Sequence, residues 1–338
     1  MTSPDAPHVA GSRPVVGVVV PAYQAADFVV ETLRSVQAQT FSSWECVVVD
    51  DGSTDSTAEK VAEVARSDPR IRLVQQENKG LSGARNTGMS ALSDDVEYVA
   101  FLDSDDVWCD TMLEVLLKAM SDDEAAVGAY GYAEFLDETG ASIQPGFHSA
   151  RQRSRHGLTG RLKRPVEEGT PVRFDEIVVD NPIWPPAVAL HRWEVVRSVG
   201  GFDTALKQLE DVDFLTRMCR FGSYVSCATQ VAWYRQHPGQ MTRRRAEFWL
   251  SYDTLRRKTW ESEENTEEQR LSVERAWQIA QGRRLARCSV RLAQSAARRD
   301  WPAARRLFRG WRVLVGQLAH RVPPLPNIDH VLWTGRDI

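Results

Sequence analysis

The chain reads as an α/β protein, a mostly parallel central sheet with helices on both faces, followed by an all-helical extension. Three observations predict this. Over the first hundred residues, short apolar runs rich in β-branched side chains alternate with segments of helical spacing. Strands that are apolar throughout suit a parallel sheet covered on both faces. Three of these runs end in polar residues, and the ligand crevice of such a sheet lies at the carboxyl ends of its strands. Beyond Arg243 the spacing is helical throughout, with no strand-like alternation.

The elements follow in order. Val15 to Val20 reads as a strand ended by Pro21, and Phe28, Val29, Leu33 and Val36 recur at helical spacing. Cys46 to Val49 is a second strand, closed by Asp50-Asp51-Gly52-Ser53. Thr54 or Asp55 caps the next helix, whose apolar positions are Ala58, Val61, Ala62 and Ala65. Ile71 to Val74 is a third strand, Leu81 to Leu92 a third helix and Tyr98 to Leu102 a fourth strand. Met112 to Met120 reads as a helix and Ala125 to Phe135 as a strand. Residues 145–173 carry Arg151, Arg153, Arg155, Arg161, Lys163, Arg164 and Arg173 with little apolar content, so a mobile loop is expected. It is either a solvated insertion or a lid over anionic phosphates or an acidic acceptor. Asn181 to Leu190 is apolar and Pro-rich, and Gly200-Gly201-Phe202-Asp203 marks a turn. Leu209 to Phe221 is a helix, and Tyr224 to Cys227 and Val231 to Tyr234 are closing strands.

Composition bounds the class. At 338 residues, 42% hydrophobic and 26% charged, the chain has the make-up of a soluble protein with one large domain and an appendage. No apolar run approaches the ~20 residues that span a bilayer. Residues 1–13 are polar, lack the apolar centre of a signal peptide and read as a loose tail. The five cysteines are scattered with no metal-type pairing, which fits a reducing cytoplasm. Charge is uneven: 22 Lys and Arg face 35 Asp and Glu before residue 243, and 20 face 11 from there onward. An acidic body joined to a basic tail implies two regions with different partners, and the tail admits a peripheral place at the inner membrane face.

The most informative run is Val-Ala-Phe-Leu-Asp-Ser-Asp-Asp, residues 99–106. Three carboxylates, Asp103, Asp105 and Asp106, sit at the mouth of an apolar strand, where they repel one another unless a cation lies among them. Hard oxygen ligands suit Mg²⁺ or Mn²⁺, whose shells are usually completed by substrate phosphates. Caps for a helix starting near Asp110 account for one aspartate, not three.

Further motifs occur in order: Val-Val-Val-Pro-Ala-Tyr-Gln (18–24), Val-Val-Asp-Asp-Gly-Ser-Thr-Asp (48–55) and Asn-Lys-Gly-Leu-Ser-Gly-Ala-Arg-Asn-Thr-Gly (78–88). After the acidic run come Gly-Gly-Phe-Asp (200–203), Leu-Glu-Asp-Val-Asp-Phe (209–214) and Tyr-Arg-Gln-His-Pro-Gly-Gln-Met-Thr (234–242). With these the chain resembles the family 2 glycosyltransferases of GT-A fold, over some 220 residues. The resemblance implies a metal-dependent, inverting enzyme that moves a sugar from a nucleoside-diphosphate donor, UDP- or dTDP-linked, to an acceptor hydroxyl. The acceptor is a glycan, a lipid-linked sugar, a peptide or a small molecule.

It also implies roles. Pro21, Ala22, Tyr23, Asp50, Asp51, Gly80, Arg85, Asp103 and Ser104 bind the donor, with Asp51 at the nucleobase. Asp103, Asp105, Asp106 and His237 hold Mn²⁺ or Mg²⁺. Asp211 is the general base, because a single displacement needs one carboxylate to take the acceptor's proton, and Glu210 orients the acceptor or caps the helix. Trp184 and Trp193 form a platform for the acceptor. Each has a plainer alternative: a helix cap or turn former for Asp51, a surface salt bridge for Arg85, first-turn acidity for Glu210 and Asp211, a surface turn for His237, and core packing for the tryptophans. The expected divisions are a transferase domain at 14–242, with a donor half (14–106) and an acceptor half (107–242), and an Arg-rich helical region at 243–338 that can dimerise the protein. Two other readings are a non-catalytic module with a basic helical tail and a sugar-1-phosphate nucleotidyltransferase. The latter lacks its Gly-rich phosphate loop here, and nucleic acid is not the expected partner.

Overall fold

The computed structural model describes residues 15–143, 154–156, 163–165, 167–240 and 245–317. The expected tail at 1–13 and most of the basic loop lie outside these residues. Strand β1 (Val16–Ala22) is buried along its whole length, as is β2 (Trp44–Asp50), which pairs with it in parallel. Helix α1 (Val29–Gln37) follows β1, α2 (Thr57–Ser67) follows β2, and β3 (Ile71–Gln75) leads to α3 (Gly80–Ser90). Strand β4 (Tyr98–Phe101) lies on the other side of β1, where its pairing reaches from Val16 to Val19. Pro21 therefore sits inside β1 rather than ending it: β4 has already stopped, so only β2 is bonded there and a residue without an N–H is tolerated. A Cβ on Gly88 of α3 would stand 2.4 Å from Val19, so glycine lets the helix rest directly on the sheet.

The chain continues through β5 (Val107–Trp108), α4 (Met112–Asp122), β6 (Gly128–Leu136) and β7 (Ser142–Ile143). Strands β8 (Ser154–His156) and β9 (Lys163–Pro165) form a two-stranded hairpin within the basic segment. Then come β10 (Pro171–Val172), α5 (Phe174–Asp180), a 3₁₀ turn at Pro186–Val188, β11 (Ala189–Arg192), α6 (Trp193–Val199), α7 (Glu210–Met218) and β12 (Tyr224–Arg235). The sheet order is β10-β12-β6-β11-β4-β1-β2-β3, with β5 on β12 and β7 on β6. The first four strands form one flank and the later ones the other, with β11 running antiparallel between β4 and β6. The two closing strands expected at the end are one strand, β12, whose register against β6 slips around Gln230. A bulge bends a strand without ending it, and Ala228 takes a φ of +45° there.

Three helices complete the described chain: α8 (Arg245–Glu261), α9 (Glu267–Ala297) and α10 (Trp301–Gln317). Thr266 caps α9 reciprocally with Gln269. Leu255 of α8 and Val273 and Ala276 of α9 join the main core, whereas Cys288, Leu307 and Leu314 form a separate small cluster between α9 and α10. Among the described residues no helix is long and apolar enough to cross a membrane.

Candidate active site

The polar ends of β1, β2 and β4 meet at one sheet edge. Asp51 donates its N–H to the Ala22 carbonyl, and its carboxylate accepts from Gln76 Nε2 at 2.6 Å and from the N–H groups of Lys79 and Gly80, each at 2.8 Å. It thus caps α3, a buried carboxylate against a helix N-terminus; Gly80 supplies the φ of +76° this junction needs. Asp50 is buried and accepts from Ser53 N–H and Gln75 Nε2. Tyr23 stands at the rim, 55% exposed. Gln24, which sequence reasoning passed over, ties the two loops together. It donates its N–H to Ser53 Oγ, and its side-chain oxygen accepts from the N–H groups of Thr54 and Asp55. Of the two expected caps for α2, Asp55 takes the Thr57 N–H.

The three carboxylates of the acidic turn part company. Asp103 accepts from Arg85 at 2.7 Å. Asp105 Oδ2 lies 2.9 Å from His237 Nε2, whose ring packs on Phe28 at 4.9 Å. Asp106 is fully buried: Oδ1 accepts the Arg235 N–H at 3.0 Å and Oδ2 has no partner. Burial, then repulsion from Asp105 and Asp103, pushes its carboxyl well above the ordinary value. Thr32 of α1 holds the turn from below by donating to the carbonyls of Ser104 and Asp106.

The four residues expected at the metal differ in their surroundings. Asp103 is ion-paired and Asp106 faces inward, and among the described residues no group of three or more His, Cys, Asp or Glu side chains is spaced to hold a metal. Asp105 and His237 remain, one hard oxygen and one imidazole nitrogen at a single place. This pair fits a divalent cation that takes its other ligands from phosphate and water.

Arg235 is the second residue the sequence reading missed, two positions before His237. It is 1% exposed and donates to the carbonyls of Asp105 and Asp137 and to the Glu31 carboxylate. Arg85 is equally buried. It pairs with Glu210 at 2.9 Å as well as with Asp103, and lies over the Phe202 ring. It is not a surface salt bridge: Nη1 and Nη2 each meet a carboxylate in a buried place, and the buried Nε–H has no partner among the described residues. Burial opposes its charge, yet Asp103 and Glu210 together raise its pKa.

Helix α7 starts after Leu209, held at a φ of +62°. A left-handed leucine costs of order 1–3 kcal/mol and persists only where surroundings enforce it. Glu210 reaches Arg85, while Asp211, half-buried, accepts the Val212 N–H. Burial, then repulsion from Glu210, raises the Asp211 carboxyl to about 7 against the opposing pull of Arg85. Lys258 of α8 donates to Asp203 and Asp213, which joins the helical region to the Gly-Gly-Phe-Asp turn and to α7.

The tryptophans separate. Trp184 is half-buried and packs on Tyr234 at 4.6 Å and Phe135 at 6.0 Å, near the ends of β12 and β6. Trp193 is core. Its N–H meets the Glu97 carbonyl ahead of β4, at the sheet edge opposite the acidic turn, because β11 runs antiparallel to β4.

Residues 17–171 match the family model described as Glycosyl transferase family 2. The chain is 28% identical over 231 residues to the uncharacterized glycosyltransferase EpsJ of Bacillus subtilis, covering 68% of this chain and 63% of that one. It thus spans less than two-thirds of that relative's length. It also resembles the crystal structure of S. aureus TarS 1-349 in complex with UDP-GlcNAc, with a TM-score of 0.57 and 17% identity over 88% of this chain and 91% of that one. The mannosyltransferase PcManGT from Pyrobaculum calidifontis, in complex with GDP-Man and Mn²⁺, is similar with a TM-score of 0.57 and 20% identity, covering 92% of this chain and 85% of that one. At these identities the two structures speak for the fold. Residues 17–171 thus carry the features of glycosyl transferase family 2, and the described chain has the GT-A fold of these solved structures.

Proposed function

We propose that the protein transfers a sugar from a nucleoside-diphosphate donor to an acceptor hydroxyl by single displacement, with inversion at the anomeric carbon. The observation that carries this reading is the geometry around Arg85. It spans the 103 and 210 carboxylates, so the acidic turn and the start of α7 share one sheet edge. A carboxylate near pKa 7 suits proton removal at neutral pH, and Asp211 is that group.

Donor binding is assigned to the rim formed by Pro21, Ala22, Tyr23 and Asp51, with Asp103 and Ser104 toward the ribose and diphosphate. Asp51 serves as helix cap and base contact together. Uracil or thymine is the proposed base, supported by the UDP-GlcNAc bound in the TarS structure. Asp105 and His237 would hold the divalent cation, Mn²⁺ or Mg²⁺; when bound it supplies Lewis-acid stabilisation of the leaving diphosphate. The Mn²⁺ of the PcManGT complex supports this. Glu210 holds Arg85 in place and Asp211 receives the proton. Trp184 lines the acceptor side, where a glycan, lipid-linked, peptide or small-molecule acceptor enters.

Titration calorimetry with UDP-, dTDP- and GDP-sugars, with and without Mn²⁺, tests the reading. A pyrimidine sugar nucleotide is expected to bind with manganese and to lose at least about tenfold in affinity in Asp105→Asn, the order of one charged contact. No uptake of any sugar nucleotide by folded protein would overturn it.

A further inference from the structure

We propose that the outer face of the α9–α10 hairpin docks on the surface of an anionic bilayer, with α10 lying in the headgroup plane. Two observations on the same surface carry this. The first is charge. On α10, Arg305, Arg306, Arg309 and Arg312 are exposed, and no acidic residue lies between Trp301 and Gln317. The second is apolar exposure. Trp301, Phe308 and Val315 are 58%, 49% and 37% exposed, and they recur at helical spacing with Arg305 and Arg312 between them. The opposite side of α10, through Ala304, Leu307 and Leu314, is buried.

The pattern selects among polyanions. A nucleic acid satisfies the arginines but offers no hydrocarbon to Phe308 and Val315. A second copy of this chain brings like charge against like. A bilayer takes both features: aromatic and aliphatic side chains enter the acyl boundary, while arginines reach back to phosphate headgroups. The small cluster of Cys288, Leu307 and Leu314 already closes the seam between α9 and α10, so the exposed set is not needed to join them.

The inference stands apart from the transferase reading, and its test reads no catalysis. The full chain is floated with vesicles of phosphatidylglycerol and phosphatidylcholine, and with phosphatidylcholine alone, at low and high salt. Binding is expected to the anionic vesicles and to weaken with salt. Removing aromatics as Trp301→Ser and Phe308→Ser should lower affinity about tenfold each, and Arg305→Gln or Arg309→Gln roughly fivefold each, with melting temperature unchanged. Four results overturn it: no partition to anionic vesicles, partition unmoved by these variants, displacement by RNA or DNA with tighter binding to it, or a fall in melting temperature on removing the aromatics, which would mean that protein covers the face.

Discussion

Arg85 and Arg235 are both 1% exposed and both serve the same acidic turn, yet they act on different parts of it. Arg85 meets side chains, the carboxylates of Asp103 and Glu210. Arg235 meets chiefly backbone, through the carbonyls of Asp105 and Asp137, with Glu31 as its charge partner. The first sets charge and the second sets shape. Adjacent aspartates can therefore have opposite fates: one is neutralised, one is left toward His237, and one is buried against an N–H.

Breaking the charge-setting side where it ends has the largest expected effect. Asp211→Asn should lower kcat about 10²- to 10⁴-fold, the usual worth of a positioned base, with the fold intact by circular dichroism. Next is Arg85→Met, which strands two carboxylates and should lower unfolding free energy by about 3–5 kcal/mol in urea. It should also move the pH profile of transfer upward, because Arg85 lowers the Asp211 pKa. Arg235→Met should cost a comparable ~2–4 kcal/mol in lost charged hydrogen bonds without moving that profile. Equal movement in both would erase the distinction.

The pH dependence sharpens it further. Activity should rise with pH as one proton leaves Asp211 and level off above about 7. The stability sign runs the other way. With the folded carboxyl raised above 3.8, its contribution is full below that value and is lost as pH rises through about 7. Asp211→Asn should therefore gain stability relative to the parent across that window, and a difference that narrows or reverses would refute the assignment. The smallest effect contrasts the two sheet edges. Trp193→Phe should leave transfer unchanged, whereas Trp184→Ala should slow transfer to acceptor and spare hydrolysis of donor.

Much of this was legible in the chain because burial leaves a plain mark. Apolar runs at 15–20, 46–49 and 98–102 announced β1, β2 and β4, and the polar residues after them marked the working edge. Less visible was anything set by direction or register. Trp193 looked like a candidate platform until β11 proved antiparallel to β4. Arg235 fell just past the expected closing strand and drew no role, although its position before His237 inside a recognised motif was a usable signal. Pro21 looked like a terminus because the early end of β4 cannot be read from β1.

By itself the sequence determined the alternation of buried strand and helix, the acidic edge, and the helical, arginine-rich end. These follow from local periodicity and from the cost of placing charge in an apolar run. Only the tertiary structure decided which group each carboxylate met. The partners of Asp103, Asp105 and Asp106 stand 18, 132 and 129 residues away along the chain. At such separations it is strand order and register, not neighbouring residues, that bring these groups within reach of one another.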